Sequence, residues 1–200
     1  MSIKLIAALG NHKPYYNNTR HNAGFTWINQ LASTNACPWQ PNKNKEGFIS
    51  KLQYAEKSII LFRPGELMNI NGQPIAKCLH YYKVPPKEML LCYDDLDLAV
   101  GTIKFKKSTG HGGHNGVKNL SQYLDISAIH RLKIGIGRPV EKSQISRYVL
   151  EQPSKIEQLQ LHKCMTYSIQ HINLLFTGQY MLFQTKLAQH NNEKENHHGV

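Results

Sequence analysis

The chain has 200 residues, 40% of them hydrophobic, which is room for one domain with a real core. Its 24 Lys and Arg against 13 Asp and Glu give a formal charge of +11, a balance that favours a polyanionic partner such as nucleic acid. The apolar runs fall well short of the ~18 residues of a membrane span. The run at residues 3–9 is interrupted by Lys4 and followed by His12-Lys13-Pro14 without a cleavage site, so a soluble, cytoplasmic protein with no membrane partner is expected.

In chain order, residues 3–9 read as a strand buried on both faces and closed by Gly10-Asn11. Phe25, Ile28 and Leu31 recur at helical spacing, with Asn22 as the N-cap. Residues 47–54 and 58–62 form a hairpin around Glu56-Lys57, and a helix over residues 75–82 is stopped by Pro85-Pro86. Residues 89–93 make another buried strand, ending in the acidic turn Asp94-Asp95-Leu96-Asp97; residues 102–105 and 132–136 add two more. Ser154 and Glu157 form a capping box, and an apolar stripe through Met165, Ile169, Ile172 and Phe176 runs on to Gly178. Residues 189–200 are polar and aperiodic and read as a disordered tail behind a domain spanning 1–188. Cys37, Cys78, Cys92 and Cys164 lack metal or disulfide spacing and read as free thiols.

Strands alternating with helices predict a single α/β domain: a twisted, mostly parallel, mixed sheet flanked by helices on both faces. Sites in such sheets gather at the carboxyl ends of the strands. Here those loops carry Asn11, residues 94–97 and residues 106–115.

The motifs that are missing narrow the chemistry. There is no Walker A loop, no G-x-G-x-x-G after the first strand and no G-x-S-x-G elbow, which disfavours nucleotide binding and covalent catalysis. Turn residues of another kind are present. His21, within Thr19-Arg20-His21-Asn22-Ala23-Gly24, precedes a helix start, and Asp94 ends a strand; an imidazole beside a carboxylate makes a general base, though a hydrogen-bonded turn histidine and a strand-ending carboxylate look the same in sequence. Gly110-His111-Gly112-Gly113-His114-Asn115-Gly116 has four glycines in seven residues, a backbone able to adopt positive φ and to admit a ligand. His111 and His114 suggest a metal pair, but no third ligand of suitable spacing follows. Between Leu98 and Val140 lie seven basic residues (Lys104, Lys106, Lys107, Lys118, Arg131, Lys133, Arg138) and one acid, Asp125. That is a solvated basic face or a set of phosphate contacts beside the glycine loop.

Taken together these segments resemble bacterial peptidyl-tRNA hydrolase over residues 1–188. The resemblance is carried by Leu9-Gly10-Asn11, Tyr16, residues 19–24, Met68-Asn69-Ile70-Asn71-Gly72, Asp94-Asp95-Leu96-Asp97-Leu98, Lys104-Phe105-Lys106, the glycine loop and Arg131-Leu132-Lys133-Ile134-Gly135-Ile136-Gly137, all in order. It implies a monomeric enzyme that hydrolyses the ester between a peptide and the 3′-terminal ribose of tRNA, with no metal or cofactor. By the same resemblance His21 activates water, Asp94 orients it, and Asn11, Met68, Asn69 and Asn115 line the site with Tyr16. His114 lies beside the 3′ end, and Lys106 and Lys133 hold the 5′-phosphate. The chain departs from the family pattern at His12-Lys13, where Pro-Gly is usual, at Glu66-Leu67, where Thr-Phe is common, and at Lys133, where arginine is common. Two other readings remain: an RNA-binding module without catalysis, and a metal-dependent hydrolase built on His111 and His114.

Overall fold

The opening apolar run becomes β1 (Leu5–Ala8), which lies between two parallel neighbours at the middle of a seven-stranded sheet. The computed structural model describes residues 2–43 and 46–196. The remaining strands are β2 (Gln40–Pro41), β3 (Gly47–Tyr54), β4 (Lys57–Pro64), β5 (Met89–Asp95), β6 (Ile103–Lys106) and β7 (His130–Gly135), in the order β2-β3-β4-β1-β5-β7-β6. β4, β1, β5 and β7 run parallel, while β2, β3 and β6 pair antiparallel, so the sheet is mixed with a parallel centre.

Alternation along the central strands feeds two apolar layers. Leu5, Ala7, Leu91 and Tyr93 face α2 (Gly72–Tyr81) and α3 (Asn115–Leu120), whose Ile75, Leu79, Val117 and Leu120 are buried there. Ile6, Ala8, Leu90, Cys92 and Leu132 face the other way. They meet Trp27, Ile28 and Leu31 of α1 (Ala23–Thr34) and Met165 and Ile169 of α5 (Lys155–Gln170). Each fully buried aliphatic side chain contributes about 1.5–3 kcal/mol relative to exposure. Two side-chain hydrogen bonds cross the α1–α5 seam: the Trp27 indole donates to Ser168 Oγ at 2.8 Å in a buried contact, and Gln30 Nε2 donates to Thr166 Oγ1 at 2.7 Å.

The hairpin forms, but its two-residue turn is Ala55-Glu56, one residue earlier than read, because Lys57 already pairs with Tyr54 as the first residue of β4. All four cysteines are free thiols. The late apolar stripe does not form one helix: α5 stops at Gln170, α6 (Asn173–Phe176) is a separate short turn, and α4 (Ile145–Tyr148) precedes both. The capping box at Ser154 and Glu157 is present in both directions.

The segment read as a disordered tail requires correction. Helix α7 (Tyr180–Asn196) runs through its first eight residues, while residues 197–200 lie outside the described part. Phe183 and Leu187 anchor α7 in the core. The outer edge of β6 meets its carboxamides: Ile103 N–H donates to Asn191 Oδ1 (3.3 Å), and Asn191 Nδ2 donates to Ile103 O (3.0 Å). Gln184 Nε2 donates to Phe105 O at 3.0 Å. Polar composition concealed the helix because its docking needs few apolar anchors.

Candidate active site

The carboxyl ends of β1 and β5 and the start of α1 come together because Gly24 allows it. A Cβ there would stand 2.6 Å from Cys92 O and 2.7 Å from Leu9 O, so a side chain would push the turn before α1 off the sheet. That turn carries Arg20, His21 and Asn22. Its backbone is pinned where Arg20 N–H donates to Glu151 O (3.0 Å) and His21 N–H to Val149 O (2.8 Å). The buried Arg20 guanidinium lies 4.1 Å from the Tyr148 ring centre and donates to Gln152 O and to Glu157 Oε2, the carboxylate that also caps α5.

His21 Nδ1 lies 2.9 Å from Asp94 Oδ2, and His114 Nε2 lies 2.9 Å from Asp94 Oδ1. One carboxylate thus bridges two imidazoles. His114 is the N-cap of α3, its Nδ1 accepting from Gly116 N–H (3.1 Å) and Val117 N–H (3.4 Å). These bonds require the lone pair on Nδ1 and the proton on Nε2, donated to Asp94. Asp94 is 2% exposed. Burial works against its charge, but the two imidazoles outweigh it and hold the carboxyl well below the usual carboxylate range. Burial also opposes imidazolium at His21; attraction to Asp94 and the hydrogen bond prevail, and its pKa lies above the ordinary value. With Nδ1–H turned to Asp94, His21 Nε2 is left without a protein partner among the described residues.

Asn11 is held from three directions. Its N–H donates to Asn22 Oδ1 (2.7 Å), its carbonyl accepts from Asn22 Nδ2 (3.0 Å), and its Oδ1 accepts from Met68 N–H (2.8 Å). The side-chain oxygen being taken, Asn11 Nδ2 remains a donor. Asn71, fully buried, ties the same loops together by accepting from Gly10 N–H and donating to Leu67 O. Asn22, read as an N-cap, makes no capping bond and braces Asn11 instead. Nothing in the sequence distinguishes those two uses of a carboxamide at a helix start. Asn71 and Arg20 lie within the motifs that carry the family resemblance, and only their burial shows that each braces the loops of the site.

A cavity of about 340 Å³ opens over this centre, lined by His21, Asp94, His114, Asn115 and Lys133 among others. Gly112 and Gly113 form its glycine rim at φ +57° and +77°. Asn115 and Asn69 are exposed, and Met68 is buried beside Asn11. Tyr16 sits apart, in a 3-10 turn over Pro14–Tyr16, its ring 4.1 Å from that of Tyr15.

The basic run divides. Lys104 pairs across from Lys133 and Lys106 from Arg131, which puts the four on one sheet face. Arg131, however, is 1% exposed and donates to the carbonyls of Ser108, Gly110 and Ile126, so it folds the glycine loop instead of meeting solvent. Lys133 Nζ is 2.6 Å from Asp95 Oδ2.

His21, Asp94 and His114 offer ligand atoms within 4.8 Å of one another, the grouping among the described residues that is closest to a metal set. It fits a metal poorly. Coordination through His114 Nε2 would move the ring proton to Nδ1, against two backbone N–H groups. His111 is exposed outside this group, its Nδ1 accepting from Gly113 N–H.

A family model described as peptidyl-tRNA hydrolase matches residues 5–197. The chain belongs to the peptidyl-tRNA hydrolase family. Peptidyl-tRNA hydrolase of Dichelobacter nodosus is 37% identical over 175 residues, 88% of this chain and 93% of the relative. That of Nitrosomonas europaea is 34% identical over 187 residues, 94% and 96% of the two chains. Among solved structures, peptidyl-tRNA hydrolase of Acinetobacter baumannii superposes with a TM-score of 0.88 at 31% identity, covering 92% of this chain and 94% of that one. Members of this family of ester hydrolases release tRNA from peptidyl-tRNA. Among the described residues no helix is long and apolar enough to cross a membrane.

Proposed function

We propose that the cleft hydrolyses the ester joining a peptide to the 3′-terminal ribose of tRNA, with His21 as general base. The observation that carries this reading is the chain His21–Asp94–His114, which leaves one imidazole nitrogen unpartnered in the cleft. Neutral His21 Nε2 takes a proton from water as the water oxygen attacks the ester carbonyl. The imidazolium so formed is stabilised by Asp94, and the proton then passes to the departing ribose oxygen. Asn11, Asn69 and Asn115 supply carboxamide donors to the developing oxyanion and to the acyl chain. His114 keeps Asp94 oriented and ionised.

The tRNA body is held through phosphates by Lys106 and Lys133, with Lys104 beside them on the same face. Met68 serves from beneath, its N–H fixing the Asn11 carboxamide, and Tyr16 meets the substrate outside the cavity over Asp94. Every group in this scheme comes from one chain, which supports action as a monomer, and a role in recycling tRNA would place the enzyme in the cytoplasm.

The test is release of free tRNA from N-acetyl-aminoacyl-tRNA, with unacylated aminoacyl-tRNA as control. Selective cleavage that survives a chelator is expected, and His21→Ala should lower kcat by about 10²–10⁴-fold while tRNA binding and fold persist. Full activity in His21→Ala would sink the assignment of the base. Tight tRNA binding without cleavage by the native chain would favour a binding module instead.

A further inference from the structure

The parallel strands deliver functional side chains along one row. Arg63 stands near the carboxyl end of β4, Asn11 just beyond β1, Asp94 at the end of β5 and Arg138 beyond β7. Sheet order therefore sets the basic strands β6 and β7 on one side of Asp94 and Arg63 on the other, with β1 between.

Arg63 differs from the cations on the far side. Lys133 has Asp95 and Arg138 has Asp97, whereas among the described residues no carboxylate pairs with Arg63. Its guanidinium lies 5.2 Å from the ring centres of Trp39 and Phe48 and 5.5 Å from that of Phe25. Nη1 donates to Asn29 Oδ1 at 3.0 Å, while Nε is buried with no partner. Burial lowers the pKa of the group, the direction expected of a cation lacking a counter-charge.

The same guanidinium lines a cavity of about 490 Å³ together with His12, Asn22 and Asn29, and among the described residues no acidic one lines it. This cavity and the one over Asp94 share no lining residue; the consecutive residues His21 and Asn22 line one each. The Phe25 ring, the Nη2 donors of a guanidinium whose Nη1 and Nε are turned inward, and carboxamide walls suit a carboxylate.

On the reading that this cleft cleaves peptidyl-tRNA, we propose that the Arg63 cavity is an acyl-chain subsite that takes a carboxylate side chain of the departing peptide. A tRNA phosphate is the other anion of the substrate, but the phosphate-binding strands lie at the opposite end of the row. From β5 to β4 is two inter-strand steps, roughly 10 Å. That is the reach from the reacting carbonyl through one residue to the end of a glutamate side chain, which places the carboxylate on the penultimate residue.

The experiment uses one tRNA carrying N-acetyl-Xaa-Phe, with Xaa as Glu, Gln or Lys. The native chain should favour Glu over Gln by about three- to fivefold in kcat/KM, the contribution of one partly exposed ion pair, and should disfavour Lys. Arg63→Gln should erase the ordering while cleaving the Gln substrate near the native rate, and Arg63→Lys should keep part of it. Equal loss on all three substrates would mean that Arg63 serves tRNA phosphate or packing alone, and an unchanged ordering would remove its role; either overturns the subsite. A second measurement needs neither variant nor turnover: the Nε–H resonance of Arg63 in the native chain, titrated with free N-acetyl-Glu-Phe and N-acetyl-Gln-Phe. A shift with the first alone supports the subsite, and equal or absent shifts overturn it. Failure to cleave even the Gln substrate would count against the hydrolase reading, and the titration would still decide the cavity.

Discussion

Asn22 grips the backbone of Asn11 from both sides, its Oδ1 accepting the Asn11 N–H at 2.7 Å and its Nδ2 donating to the Asn11 carbonyl at 3.0 Å. Asn22 directly follows His21, so one bond pair locks the loop after β1 to the turn carrying the proposed base. The spacing between the Asn11 carboxamide and the imidazole is then a property of the fold. Asn22→Ala should lower kcat by about 100-fold, the usual scale for a misplaced reacting group, with a small change in KM; pre-steady-state kinetics on N-acetyl-aminoacyl-tRNA would check the split.

The raised pKa of His21 fixes the sign of the pH dependence. The active base is neutral, so kcat/KM should fall on acidification with a midpoint above the ordinary histidine value of about 6.5. Asp94→Asn should move that midpoint down while lowering the plateau by about 100-fold. For folding, the His21–Asp94 pair contributes fully below the unfolded histidine pKa and loses that contribution as pH rises through the folded one. A pH–rate profile of both proteins reads the shift.

Lys133 is drawn toward Asp95 at 2.6 Å, and that bond competes with any phosphate. Asp95→Asn should tighten tRNA binding by about threefold at low salt. Lys106→Ala should weaken it and reduce the slope of log Kd against log salt by about 0.7–0.9, one phosphate contact. Filter binding across a salt series separates the two.

Arg131 satisfies three loop carbonyls from a buried position. Arg131→Met should cost about 3 kcal/mol and free the glycine loop, read as a lower urea midpoint and faster amide exchange at Gly112 and Gly113.

Six of the described strands were legible in order because buried runs and breakers announce them, while the two-residue, exposed β2 gave no such run; Asp94 was placed by the rule that sites gather at strand ends. The bond joining His21 to Asp94 spans 73 positions, and no spacing rule reaches that far; the family resemblance paired them. Arg131 counted as one more surface cation because sequence shows charge without showing the loop that folds over it. Asn22 looked like a cap since the competing partner, the backbone of Asn11, is brought to it only by packing at Gly24.

Helix α7 has a consequence outside catalysis. β6 is the last strand of the sheet, and such a strand offers open N–H and C=O groups to any passing chain. Asn191 presents to Ile103 the donor and acceptor that another strand would present, and Gln184 occupies Phe105 O. Two side chains thus imitate a neighbouring strand without continuing the sheet, and the last stretch of helix works as an edge guard against self-association.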